Sequence, residues 1–98
     1  MQTPEGLVKK KVRNYLISLG VYRFSPVQMG IGSPTLDDLC CFRGKFLGIE
    51  YKAEGKMPTP RQLLTMTQIR EAGGIAIWGD SAYNIIEQIN IIFGLPHD

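Results

Sequence analysis

Residues 37–52 read D-D-L-C-C-F-R-G-K-F-L-G-I-E-Y-K, two short apolar runs that meet at Arg43-Gly44, with two aspartates at one end and a glutamate and a lysine at the other. Runs of this length around a two-residue turn predict a β-hairpin over Leu36–Phe42 and Lys45–Lys52. With Arg43-Gly44 as the loop, Phe42 opposes Lys45, Cys41 opposes Phe46, and Asp37 opposes Glu50. A four-residue turn from Cys41 to Phe46 keeps that register, whereas a three-residue loop shifts it by one and exchanges the faces. In the first register strand alternation gathers Asp37, Gly48, Glu50 and Lys52 on one face, and sends Asp38 and Tyr51 to the other. Gly48, having no side chain, is expected to leave open space beside the acids.

Two like charges directly opposed on a sheet are destabilising unless something neutralises them. A divalent cation would. Two carboxylates bind Mg2+ without filling its octahedron, which leaves room for water and a substrate phosphate. Such an ion activates water for attack on phosphorus, and a neighbouring lysine stabilises the charge that develops. Asp37, Glu50 and Lys52 therefore fit phosphodiester hydrolysis. The competing reading is a set of solvated strand-end charges forming ion pairs of little energetic value.

Outward from the hairpin, Thr3-Pro4-Glu5 opens a helix with a hydroxyl cap, proline at the first position and an acid in the first turn. Val8, Val12, Tyr15 and Leu19 continue its inner stripe to Gly20, and counting back from Val8 puts Glu5 at the head of that stripe. Val21–Gln28 reads as an edge strand or extended segment, and residues 30–35 and 53–58 as loops. Thr59-Pro60-Arg61-Gln62 carries the marks of a capping box, and its helix runs through Leu63, Met66, Ile69 and Arg70 to Gly73-Gly74. Ile75–Trp78 is a wholly apolar strand of the kind found inside a sheet. Gly79-Asp80-Ser81 caps a last helix with Ile85, Ile86, Ile89 and Ile92 on its inner face. The order α-β-β-β-α-β-α implies an α/β domain with one mixed sheet flanked by helices.

Composition sets bounds on all this. At 98 residues the chain is expected to be one domain, 1–98, with little margin for idle buried charge. Apolar residues at 44% and charged ones at 20% fit a globular chain rather than a disordered one. No apolar run spans a bilayer and no signal pattern opens the chain, so a cytoplasmic location without membrane contact is expected. Cys40 and Cys41 are adjacent and point to opposite faces of a strand, which rules out a bond between them and leaves small core residues as their expected role. His97 is expected to be solvated in the tail, and nothing assembles a zinc site. The net charge is only +2, yet Lys9, Lys10, Lys11, Arg13 and Arg23 face Glu5 alone within residues 1–30. That patch is either a solvated helix face or a surface for phosphate.

At this point the sequence resembles a known family. G-S-P-T-L-D, C-C-F-R-G-K-F-L-G-I-E-Y-K-A-E-G-K, P-T-P-R-Q and E-A-G-G are similar to the VRR-NUC domain of the PD-(D/E)XK nuclease superfamily in its small standalone form, over about residues 5–78. The resemblance implies a restriction-endonuclease-like core of order αβββαβ with a C-terminal helix. It implies Asp37 and Glu50 as metal ligands with the backbone carbonyl of Tyr51, Lys52 as the lysine of the E-x-K motif, Glu5 joining through a metal-bound water, and Gln62 from the second helix. The proline usual just before the aspartate stands here at Pro34, with Thr35-Leu36 between. Glu5 and Gln62 each keep a plainer role as first-turn acid and capping residue.

The implied activity is Mg2+-dependent, structure-specific endonuclease cleavage of branched DNA such as Holliday junctions, with Mn2+ able to substitute, by a homodimer. Lys9, Lys10, Arg13, Lys56 and Arg61 are the expected DNA contacts. A non-catalytic junction-binding or partner-binding module on the same fold is the alternative. Independently, the segment I-I-E-Q-I-N-I-I-F-G-L carries more apolar surface than one short sheet covers, which also favours a dimer. Asp38, opposed to Ile49 on the far face, is expected to tolerate replacement by asparagine.

Overall fold

The computed structural model describes residues 2–28, 30 and 32–96, so His97 lies outside the described residues. The element order is α1 (Pro4–Leu19), β1 (Tyr22–Phe24), β2 (Asp38–Phe42), β3 (Lys45–Tyr51), α2 (Pro60–Glu71), β4 (Ile75–Gly79) and α3 (Ala82–Phe93). The strands form one mixed sheet in the order β1-β2-β3-β4, antiparallel except for the parallel β3–β4 pair. This is the α/β arrangement that the sequence pattern implies.

The hairpin forms in the two-residue register, from Phe42 opposite Lys45 to Asp38 opposite Ile49. Arg43 and Gly44 both have positive φ, at 53° and 78°. A two-residue turn of this hand matches the twist of its strands, and only glycine enters it without steric cost. The guanidinium of Arg43 donates to the Phe93 carbonyl at 3.2 Å and lies over the Phe42 ring, which ties the hairpin tip to the end of α3.

Each helix begins as its capping residues dictate. Thr3 accepts from the Gly6 N–H, Thr59 from the Gln62 N–H, and Ser81 from the Asn84 N–H. Helices α1 and α3 cover one face of the sheet, where Val12, Leu16, Cys40, Leu47, Ile49, Tyr51, Ile77, Ile85 and Ile89 make the larger core. Helix α2 covers the β3–β4 half of the other face, where Leu36, Met66 and Ala76 are buried.

Four expectations are corrected. Gly48 does not front open space: a Cβ there would lie 2.8 Å from Leu36 Cδ1 and 3.1 Å from Ile69 Cδ1, so its missing side chain lets Leu36 and α2 close down on the sheet. Ile92 is exposed, whereas Ile85, Ile86 and Ile89 do face the core, joined there by buried Asn90, which accepts the phenol of Tyr15. Cys40 is buried, which pushes its thiol up to about 12, whereas Cys41 is exposed on the part of the sheet that α2 leaves bare. Strand β4 lies at the edge of the sheet, not inside it. Its apolar composition is explained by the helices on both its faces. The Gly79 carbonyl turns inward to the Lys52 N–H, so the Ala76 and Trp78 carbonyls turn outward. Arg70 from α2 meets the first at 2.6 Å and Gln88 from α3 the second at 2.8 Å.

Candidate active site

Asp37 stands one residue before β2, and Glu50 and Lys52 at the end of β3, so the hairpin register brings the acids together where the strands leave the sheet. Asp37 Oδ2 accepts the Tyr51 N–H at 2.9 Å, which turns this carboxylate across the strand end. Glu50 is 3% exposed although ionisable. Its Oε2 accepts from Gln62 Nε2 at 3.0 Å and lies 3.7 Å from Lys52 Nζ. Burial, then the charge of Asp37 and a hydrogen bond between the two carboxyls, raise the Glu50 carboxyl to about 8; Lys52 opposes the shift and Glu5 adds to it. Burial and the neighbouring acid thus hold the Glu50 carboxyl toward its protonated form.

Gln62 does both of the things that the sequence left as alternatives. Its Oε1 accepts the Thr59 N–H at 2.9 Å, which completes the capping box, while Nε2 reaches Glu50. The two ends of one amide join the start of α2 to the acid pair. Glu5, at the head of α1, pairs with Lys9 at 3.7 Å, and Lys9 Nζ also lies 3.9 Å from Asp37 Oδ1. Lys9 thus belongs to the acid cluster rather than to an outward basic face. The signal was present: Lys9 follows Glu5 by four residues, which places both on one side of the helix. Lys10, Lys56 and Arg61 are exposed.

Arg13 is turned inward. Its Nε donates to Asp38 Oδ2 at 3.0 Å and its Nη2 to Oδ1 at 2.9 Å, a two-pronged contact with a fully buried carboxylate. Ser25 Oγ at 2.6 Å, the Tyr51 hydroxyl at 2.5 Å and Arg23 Nη1 at 3.4 Å complete the set around Asp38. Burial alone would raise the Asp38 carboxyl, but the bonds from Arg13, Ser25 and Tyr51 hold it below the usual carboxylate range. Asp38 does point away from the acid pair, as the register required. It is nevertheless not an idle strand residue, because its buried carboxylate gathers Arg13, Ser25 and Tyr51 around it. Sequence reasoning missed this cluster, whose members come from α1, the end of β1, β2 and β3.

The donor set fits a hard divalent cation. Among the described residues no three His, Cys, Asp or Glu side chains gather closely enough to enclose a metal ion on their own. The carboxylates of Asp37 and Glu50 offer hard oxygen ligands, and two side chains leave the rest of an octahedron to water and phosphate.

A mixed sheet carrying buried acids, a lysine and a glutamine at one strand end is the build of a nuclease-type domain. The structure is similar to a solved structure described as a VRR_NUC domain, with a TM-score of 0.77 and 26% identity over 90% of this chain and 96% of that one. The chain has a VRR-NUC-type fold. No family profile and no curated protein matches the sequence. Among the described residues no helix is long and apolar enough to cross a membrane.

Proposed function

We propose that the chain is a Mg2+-dependent, structure-specific endonuclease acting on branched DNA. The observation that carries this is the meeting of Asp37 with the buried Glu50, beside Lys52 and Gln62 where the strands leave the sheet. A buried carboxyl beside a second acid costs stability, and a role in holding a cation gives it a reason.

Asp37 and Glu50 would hold the ion with the Tyr51 carbonyl, and Glu5 would reach it through water. When bound, the ion supplies a more acidic water and a counter-charge for phosphate. Lys52 orients the attacking water and stabilises negative charge on the phosphoryl oxygens. Gln62 fixes the Glu50 carboxylate through Nε2 and keeps that fix because its other end caps α2. Lys10, Lys56 and Arg61 hold the backbone phosphates on either side, a sequence-independent grip suited to recognising a DNA shape. Lys9 supplies positive charge at the acids, and Arg13 acts as an internal anchor.

A homodimer would offer two such sites to a four-way junction of matching two-fold symmetry. Exposed Tyr22 and Phe24 on the bare half of the sheet, Phe46 at the border with α2, and Ile91 and Ile92 on α3 are apolar surfaces available to it.

The test is incubation of labelled four-way junction, flap, linear duplex and single strand with the protein, with and without Mg2+ or Mn2+. Metal-dependent cleavage of branched forms, lost in Asp37→Asn, is expected. A mobility shift of the junction without any metal-dependent product would instead identify a binding module on this fold.

A further inference from the structure

We propose that Asp38, Arg13 and Tyr51 form a positioning lock behind the acid pair, setting where Asp37 and Glu50 stand relative to each other and to α1. The inference rests on the reading of that pair as a metal-binding nuclease site.

The lock and the site are two sides of the same residues. Asp38 follows Asp37 in the chain, and Tyr51 lies between Glu50 and Lys52. The backbone N–H of Tyr51 donates to Asp37 on the acid face while its hydroxyl donates to Asp38 on the core face. The Tyr51 ring crosses the core, fully buried, with the Arg13 guanidinium 5.7 Å from its centroid. Arg13 is one turn of α1 beyond Lys9 and two beyond Glu5, so its hold on Asp38 fixes the helix that brings both to the acids. Ser25 closes the arrangement from the end of β1, accepting from Arg13 Nη2 at 3.1 Å and donating to Asp38.

A buried ion pair by itself is weak grounds for stability, since apolar residues of the same volume often serve as well. What this pair offers beyond burial is direction. Rotation at Asp38 or at the end of β3 would swing Asp37 and Glu50 apart, and the bidentate guanidinium admits little rotation. Groups that act through metal ligands in this manner typically alter metal affinity by about 10–100-fold when lost.

Tyr51→Phe removes one oxygen and leaves Asp38 with Arg13 and Ser25. Tyr15→Phe is the matched control, removing a phenol bonded to the buried Asn90 amide at the α1–α3 contact. Calorimetric titration with Mn2+, single-site kinetics on a four-way junction and thermal melting are measured on both. Tyr51→Phe is expected to weaken Mn2+ binding and lower kcat about tenfold with KM within a factor of two, and Asp38→Asn to do so further wherever it folds. Tyr15→Phe should melt earlier while binding Mn2+ as the wild type does. Wild-type Mn2+ affinity and kcat in Tyr51→Phe would overturn the lock alone. So would equal losses of affinity in both variants, which would mark a general effect of stability. Failure of the wild-type chain to bind Mn2+ would overturn the nuclease reading, and the lock with it.

Discussion

Replacing Glu50 by glutamine should stabilise the metal-free protein at alkaline pH and do little for it in acid. The Glu50 carboxyl titrates near 4.5 in an unfolded chain and at about 8 in the fold, because burial and Asp37 disfavour its charge. Below 4.5 the group is protonated in both states and costs nothing. As pH rises from 4.5 to 8 the unfolded chain loses this proton first, so stability falls through that window and stays low above it. The whole difference corresponds to about 5 kcal/mol by linkage. Relaxation and water entry on ionisation lessen such a penalty, so about 1–2 kcal/mol is the part expected to survive. For a domain of this size that is a rise in Tm of about 5–10 °C for Glu50→Gln at pH 8.5. At pH 4.5 the gain should nearly vanish.

Adding Mg2+ should reverse the order at pH 8.5, since only the wild type then gains from binding. Differential scanning calorimetry at the two pH values, with chelator and with Mg2+, reads all four conditions. A Glu50→Gln variant that melts below the wild type at pH 8.5 in chelator would refute the reasoning. It would mean that Lys52 and Gln62 satisfy the ionised carboxylate in full.

Lys52→Met should lose turnover while keeping most junction affinity, because its proposed work lies in the transition state; equal factors in Kd and kcat/KM would make it only a phosphate anchor. Gln62→Glu keeps an acceptor for the Thr59 N–H but loses the donor to Glu50, so circular dichroism should show an intact fold while junction cleavage falls at least tenfold. Gly79→Ala should lower Tm without changing metal affinity per folded molecule, by about 1–3 kcal/mol of overpacking. Its Cβ would lie 2.6 Å from Ile85 Cγ1 and 2.7 Å from Asn84 Oδ1 in the first turn of α3.

The parts of this fold that the sequence displays are those set by neighbours in the chain. Arg43-Gly44 fixed the hairpin register, and through it the meeting of Asp37 with Glu50. Thr3-Pro4, Thr59-Pro60 and Ser81 marked three helix starts by local bonds alone. What stayed hidden depends on partners far along the chain. The partners gathered around Asp38 were hidden because Arg13 is 25 residues away and Ser25 follows another strand. The space at Gly48 looked vacant because nothing local says that Leu36 and Ile69 converge on it. Strand β4 looked internal because apolar composition reports covered faces, and helices cover faces whether or not a further strand lies alongside. Lys9 was misplaced for a different reason, since it was counted with its charge cluster rather than with its position on the helix.

The side chains laid along β4 bear on how the molecule meets its own copies. Edge carbonyls left free are a template on which another chain can build. Here Arg70 and Gln88 occupy the two that face outward, each reaching in from a helix on a different face of the sheet. At the opposite margin β1 offers three residues before Pro26 interrupts it. Neither border of the sheet therefore supports continuous strand addition, and fibril-like growth by backbone pairing is closed off at both ends. Any association of copies is then left to side chains on the broad faces, where geometry and not backbone repetition decides how many join. A contact of that kind stops at a defined number only where its symmetry closes.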